Sequence, residues 1–530
     1  MNKAYPLLLL LGALIISVSS CTEDYFEFEK FKVDPIKPEI AIPLINSSLT
    51  PRDIFLSKET PNIITTDQNG LISIVFEKGG FEVNTTDLFQ LQDQSYTEAI
   101  GFTATEIGAF PIQGSISKTF RNTYNFANPG GVRVDSILIK SGLLNLNISS
   151  DLRHGGSVKV TFPSFIENGI PLSFDLELNY SGTTPVISSQ NKNLANYSLE
   201  VDNTNGNTIP VIYEVTFNYS GNAISPQDSI RFAIATNNLE FQSFYGFAGQ
   251  QSINFRLDTL PLEFFDGVVS GNFYSAAPKL TINAVNQFGI PIEVDFDRFD
   301  AKTINSGTFP VQLPQNPIAI NAPNVIGDSA VTVLILDPNN SNMDNVVSSL
   351  PTDFIFKFSA HTNPNSTTVQ NFLLENSKAT VDIKFELPLI GTVSNYLLID
   401  TLDFEFDNTQ LLDAATFRTI ISNGFPVDAD VQIYFADGNF RVIDSLFNGQ
   451  QQIITSGIIN NEGVVIQPTK EIMDTKVDKA GLTNLFRSSK IIIKADLSTS
   501  NDGSSIVQFY DDYRLEVKLG MKASFDLDFE

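Results

Sequence analysis

Few side chains in this sequence are placed for covalent or proton-transfer chemistry. Cys21 is the one thiol in 530 residues, and His154 and His361 are the two imidazoles. One cysteine permits no internal disulfide, and two lone histidines provide no thiolate or imidazole metal set. Each histidine sits in a Gly- or Asn-rich stretch, "RHGG" and "AHTNPN", where a solvated loop residue is the plain expectation. There is no Gly-x-Ser-x-Gly elbow, no phosphate-cradling glycine loop and no His-Glu-x-x-His. No catalytic residue is assigned, no cofactor is called for, and the chain is expected not to be an enzyme. Sixty acidic residues leave open a carboxylate pair for glycoside hydrolysis, which depends on spacing in three dimensions. In "DPNNSNMDN", Asp337, Asn339, Ser341 and Asp344 offer hard oxygen ligands for calcium. Asn342 stands where an EF-hand needs glycine, however, and no bidentate Glu closes the loop.

Cys21 has a different use. Lys3 begins a short apolar segment, Leu7 to Val18, which is too short for the roughly 20 residues that span a bilayer. The segment ends in Val18-Ser19-Ser20-Cys21. This resembles a bacterial lipobox, in which the thiol is acylated and becomes the new N-terminus. Each buried methylene then contributes about 0.8 kcal/mol to anchoring. Glu23, Asp24, Glu27 and Glu29 alternate with Tyr25, Phe26 and Phe28 directly after it. That run resembles the signal carrying lipoproteins of the Bacteroidota to the outer face of the outer membrane. The resemblance implies a palmitate-bearing, cell-surface lipoprotein. A third pattern fits the same source. Asp followed by Ser or Thr and a small or aliphatic residue occurs at Ser136, Ser229, Thr259, Ser329, Thr401 and Ser445. It resembles the O-glycosylation sequon of exported proteins in that group. The alternative is local: the Asp side chain bonds nearby N–H groups at strand starts.

Bulk properties narrow the field further. A net charge of −27 repels nucleic acid and anionic membrane surfaces. With no disulfide available, stability rests on packed core, for which 42% hydrophobic residues suffice. Aromatic area comes from 43 Phe, while Trp is absent, which weakens a sugar-stacking platform.

The elements that must hold these residues follow a period of two. "TVDIKFEL" at 380–387 and "DFIFKF" at 353–358 place apolar residues on one face and polar ones on the other. Such alternation means antiparallel strands with one wet face. From Tyr513 to Phe529 the alternation continues without a break, so a bend at Gly520 or an edge position is expected, open to a partner. Short helices are expected near 50–56, where Pro51 follows Thr50, and near 478–488.

Internal repetition organises the rest. "GQQSINFRLDTLPLEF" (249–264) matches "GTVSNYLLIDTLDFEF" (391–406), with a weaker copy at 130–142. Each is followed by a Gly-apolar-Pro element, at 168–178, 288–299 and 423–435. Here the glycine is expected at positive φ, with proline entering a strand. The motif resembles the immunoglobulin-like modules of late-embryogenesis-abundant type 2 proteins. The expected fold is all-β, tandem antiparallel β-sandwich modules behind a cleaved signal peptide. The boundaries are 1–20 signal, 21–40 lipidated acidic tether, 41–125 N-terminal β region, and modules at 126–225, 226–380 and 381–530.

The expected function is that of a non-enzymatic surface lipoprotein, a structural or binding subunit of an outer-membrane β-barrel protein complex. Assembly, secretion and uptake machinery all fit. Two alternatives stand beside it: glycan binding or processing at the surface, and lipid binding inside a Phe-rich sandwich.

Overall fold

The computed structural model describes residues 39–55, 64–127, 131–202, 207–265, 268–305, 307–365, 369–403, 412–447 and 451–525. Cys21, the signal segment and the tether up to residue 38 lie outside the described residues. The fold class is as expected: antiparallel β throughout, arranged as three sandwiches. By internal contacts the chain forms two units. One comprises Pro51–Tyr396 with Gly503–Asp512; the other comprises residues up to Thr50, Leu397–Asp502 and Tyr513–Glu530.

The first sandwich lies in the larger unit. Strands Ser95–Gly101, Ser229–Phe247, Arg133–Ser150 and Val186–Asn193 form one layer. Strands Ser115–Asn125, Thr208–Asn218, Gly156–Glu167 and Ile170–Leu178 form the other. Alternate residues of both turn inward, and Tyr213 packs on Phe232 with ring centroids 4.6 Å apart. Asn168 (φ 51°) and Gly169 (φ 79°) close the tight hairpin between Gly156–Glu167 and Ile170–Leu178. Two consecutive positive φ values are what a two-residue primed turn requires, hence Asn-Gly.

The second sandwich, in the same unit, sets Ile64–Thr66, Ile72–Asn84, Lys378–Pro388, Lys279–Asn286 and Ala330–Leu336, in that order, in one layer. Facing them are Ser252–Asn254 and Asp258–Pro261, then Pro351–Thr362, then Ile292–Thr303 with Thr308–Pro310 and Ile318–Ile320. Phenylalanines fill the gap: Phe354 meets Phe385 at 5.1 Å, and Phe81 meets Phe358 at 5.1 Å, both edge-on. Edge-to-face packing is the favourable arrangement for ring quadrupoles.

The third sandwich belongs to the other unit and repeats this plan. One layer runs Glu39–Leu49, Leu515–Phe525, Leu412–Asn423, Thr469–Asp478; the other contains Lys490–Thr499 beside Val427–Ala436, with Val442–Ser445 and Gln451–Ile454. Ile421 and Phe447 form its core with Val431, Ile433, Leu515 and Val517. Register makes the correspondence specific. Asn286 pairs with Ala330 and Ala379 in the second sandwich, and Asn423 pairs with Thr469 and Leu515 in the third. A short helix follows the equivalent edge strand in each, Met343–Ser348 and Lys479–Arg487.

Several expectations change. Ladders cross the expected module boundaries: Ser95–Gly101 pairs with Ser229–Phe247, and Ile72–Asn84 with Lys378–Pro388. Period-two patterning shows which face of a strand is buried but not which strand lies beside it. Strand Leu515–Phe525 is no edge, because Glu39–Leu49 and Leu412–Asn423 flank it on both sides. The irregularity expected at Gly520 falls opposite it, between Pro43 and Ile45. The helices at Pro51–Phe55 and Lys479–Arg487 form as expected, the latter capped by Asp478 accepting from the Gly481 N–H. A third, Ala104–Gln113, carries a capping box of Thr103 and Glu106 that was readable but missed.

Candidate interaction surface

Most polar side chains inside the sandwiches bond backbone. Asn286 and Asn423, both buried, form matching hubs where the chain crosses from one layer to the other. The Asn286 carbonyl oxygen accepts from the Phe288 N–H at 2.9 Å, and its amide donates to the Ile290 and Asn321 carbonyls at 3.2 and 3.0 Å. The Asn423 oxygen accepts from the Phe425 N–H at 2.8 Å, and its amide donates to Val427 and Thr455 at 3.0 and 2.9 Å. Both hubs use partners two and four residues on, plus a carbonyl just after a short strand of the opposite layer. Buried groups must find partners, so a residue with both donors and acceptor at one carbon fits where two turns meet.

The glycines of the Gly-apolar-Pro motif behave differently from one another. Gly169 has positive φ as expected, whereas Gly289 and Gly424 do not. A Cβ on Gly289 would fall 2.4 Å from the Phe372 ring, and one on Gly424 would fall 2.8 Å from the Arg514 carbonyl oxygen. Close approach, not a left-handed backbone, excludes a side chain at those two positions. A buried amide pair joins the two repeated elements. Asn363 and Asn371 exchange hydrogen bonds at 2.9 and 3.1 Å and donate to Gly249 and Gly289 carbonyls respectively.

Neither histidine is a solvated loop residue. His154 is fully buried, its Nδ1 accepting from the Ser220 N–H at 3.1 Å and lying 3.0 Å from the Ser220 hydroxyl. Its Nε2 has no hydrogen-bond partner, and Phe110 meets the ring edge-on at 4.7 Å. Burial pushes its pKa below the ordinary value, against a smaller opposing effect of the Asn222 backbone. His361 lies on strand Pro351–Thr362, with Ser252 Oγ 2.8 Å from Nδ1 and Asp295 Oδ2 3.4 Å from Nε2. Serine, histidine and aspartate are the residue types of a nucleophilic triad. Here Ser252 is exposed on an outer sheet face, and Ser359 Oγ competes for Nε2 at 3.4 Å. The same face carries cross-strand pairs Lys357–Asp297 and Lys302–Asp353, the ordinary dress of a solvated sheet.

The candidate calcium oxygens serve a turn. Asp337 Oδ1 accepts from the Asn339 N–H at 2.8 Å, Ser341 Oγ donates to the Asp337 carbonyl, and Asp344 Oδ1 accepts from the Asn345 amide. Among the described residues no group of three His, Cys, Asp or Glu is placed to hold a metal.

The six sequon hydroxyls divide by exposure. Thr259, Ser329 and Thr401 are exposed, while Ser136, Ser229 and Ser445 are half-buried. Asp258 and Asp444 each accept from the next residue's N–H, at 2.7 and 2.8 Å, and Ser445 Oγ donates to the Phe447 carbonyl. Ser136 borders a shallow concavity of about 510 Å³ with Asp135, Glu200, Tyr245 and Gln370.

Between the layers of the second sandwich lies an apolar cavity of about 40 Å³, bordered by Phe81, Phe255, Val294 and Phe358. Ordinary ligand pockets measure about 300–1,000 Å³, so this cavity is too small for such a ligand. The conspicuous apolar feature is outside. Among the described residues, strand Ala330–Leu336, "AVTVLIL", ends its sheet, with Lys279–Asn286 as its ladder partner. Val331 and Val333 are 54% exposed and Ile335 39%. Sequence reading missed this strand as an edge, although its lack of charge was visible.

No family model matches the sequence, and no curated protein matches it. Among solved structures, a Parabacteroides distasonis protein described as secreted is similar over 53% of this chain and 89% of its own, with 12% identity and a TM-score of 0.28. An infectious bursal disease virus structure, Gt strain, is similar over 82% of this chain and 81% of its own, at 10% identity and a TM-score of 0.14. Likenesses this slight leave family and activity unassigned.

Proposed function

We propose that this chain is a non-enzymatic lipoprotein of the outer-membrane surface, acylated at Cys21, that serves as a structural or binding subunit of an outer-membrane β-barrel complex. The observation that carries this reading is where the interior polar groups go. Asn286, Asn363, Asn371 and Asn423, the buried amides of the crossings, all bond backbone carbonyls. Such use builds a rigid scaffold and leaves interaction to faces and edges. The Val18-Ser19-Ser20-Cys21 segment and the acidic run after it support the location.

Fractionating cells that express Cys21→Ala tests the anchor: the variant should leave the membrane fraction and take up no labelled palmitate. Retention in the membrane would overturn it. Detergent extraction of the wild type should recover a β-barrel protein in fixed ratio; a monomer that binds polysaccharide arrays would overturn the subunit role. That second outcome has its own support in the concavity beside Ser136, where Tyr245, Asp135, Glu200 and Gln370 offer a ring and polar groups.

A further inference from the structure

We infer that strand Ala330–Leu336 is a docking edge. It takes an extended segment of a partner protein, with an uncharged β-branched centre of about seven residues and basic residues at both ends. The inference rests on the binding-subunit reading and names how that binding occurs.

An internal comparison carries it. Register equates Ala330–Leu336 with the start of Thr469–Asp478, since Asn286 pairs with Ala330 and Asn423 with Thr469. Val331 therefore corresponds to Lys470, Val333 to Ile472 and Ile335 to Asp474. All six side chains are exposed. The third sandwich thus places a lysine and an aspartate where the second has valine and isoleucine. Charges on an exposed edge are the usual guard against strand addition. The chain places charge on one of two equivalent edges and none on the other.

The occupant follows from charge. Residues 330–336 contain no ionisable group, but Asp328 and Asp337 bracket them. A second copy pairing antiparallel about Val333 would bring Asp337 of each chain near Asp328 of the other, in molecules each of net charge −27. Like charges across a ladder are destabilising. Basic residues flanking an apolar strand would instead meet both aspartates. The amides of Asn321 and Asn340 donate to the Val331 and Ile335 carbonyls, at 3.3 and 2.8 Å. These side chains occupy carbonyls that the N–H groups of an added strand would take over, as in strand addition generally.

The test uses the full mature chain and a synthetic peptide, Lys-Lys-Thr-Val-Thr-Val-Thr-Val-Lys-Lys, titrated by fluorescence anisotropy. Binding should weaken at least tenfold for Val333→Lys and be unchanged for the equivalent Ile472→Lys. A second variant, Val331→Thr with Val333→Thr, keeps β-branching and should weaken binding less than Val333→Lys. Circular dichroism melts of each variant verify folding. Absence of binding, or binding indifferent to Val333→Lys, overturns the inference. So does equal binding of a peptide with glutamates at its ends, or a wild-type dimer in sedimentation that Val333→Lys dissolves. Should β-barrel recovery from membranes persist in Val333→Lys, the docking edge fails while the subunit reading stands.

Discussion

The second and third sandwiches share strand order, crossing geometry and the position of a short helix, yet their equivalent edge strands have opposite characters. Asn286 and Asn423 make the same three bonds. They do so although five residues separate the flanking strands in one and three in the other. At the edges, Val331 and Ile335 correspond by register to Lys470 and Asp474. The difference separates two kinds of constraint. A buried amide with three backbone partners is fixed by the fold, since only a carboxamide supplies these donors and this acceptor, and glutamine sets them one methylene farther from the backbone. An exposed edge position is free to vary, so what occupies it reports on encounters with other chains.

The largest effect should come from breaking the hubs. Asn286→Ala or Asn423→Ala strands one N–H and two carbonyls in the interior, a cost of about 3 kcal/mol. Urea titration followed by far-ultraviolet circular dichroism measures it, since the chain has no Trp to report by emission. A cost under about 1 kcal/mol for either would mean the hubs are not the feature that makes the two sandwiches alike.

The glycines sharpen the contrast with the first sandwich. Gly424→Ala should destabilise more than Gly169→Ala, because the new methyl meets a carbonyl oxygen 2.8 Å away whereas Gly169 has open space. Gly169→Ala should cost about 1 kcal/mol, the price of a left-handed backbone for alanine. The reverse order would show that the third sandwich relaxes around its crossing.

Converting one edge into the other is a direct test of the comparison. Lys470→Val with Asp474→Ile removes the guard from the third sandwich. That variant should bind the basic-ended peptide at a second site, raising the stoichiometry measured by calorimetry. An unchanged stoichiometry would show that edge charge does not control access.

The smallest effect concerns pH and belongs to the first sandwich. His154 is buried neutral, with its folded pKa below its ordinary value near 6.5. The unfolded chain therefore binds the proton more readily, and stability is full above about 6.5 and declines as the pH falls from there toward the lower folded pKa. The charged or titratable groups near it are Asp228, which favours the charged form, and Tyr219, whose ring lies 5.6 Å away. Melting temperature should fall more between pH 7.5 and 5.5 in the wild type than in His154→Asn, which cannot titrate there. Parallel curves would place the acid sensitivity elsewhere.

Much of the scaffold was readable from the residues. Alternation in "TVDIKFEL" and "DFIFKF" shows inward-facing Phe385, Phe354 and Phe356, and Pro51 and Asp478 mark helix starts. The repeated Gly-apolar-Pro element pointed to related turns, but it aligned Asn168 with Asn423 by sequence. The structure pairs Asn423 with Asn286 instead. A hairpin and a layer crossing share residue types because both need a small residue and a polar side chain near backbone. Which one forms depends on the strands available to pair next.

The sequence alone determined that this chain builds antiparallel sheets, buries phenylalanine and carries strong negative charge, because side-chain alternation and composition act locally and additively. Its single thiol belongs to the same class of information. Tertiary structure alone decided which strands lie at an edge, that Leu515–Phe525 is enclosed while Ala330–Leu336 ends its sheet among the described residues, and that His154 is buried. Strand neighbours are chosen by long-range hydrogen bonding and packing, and a period of two names a face without naming the partner that covers it.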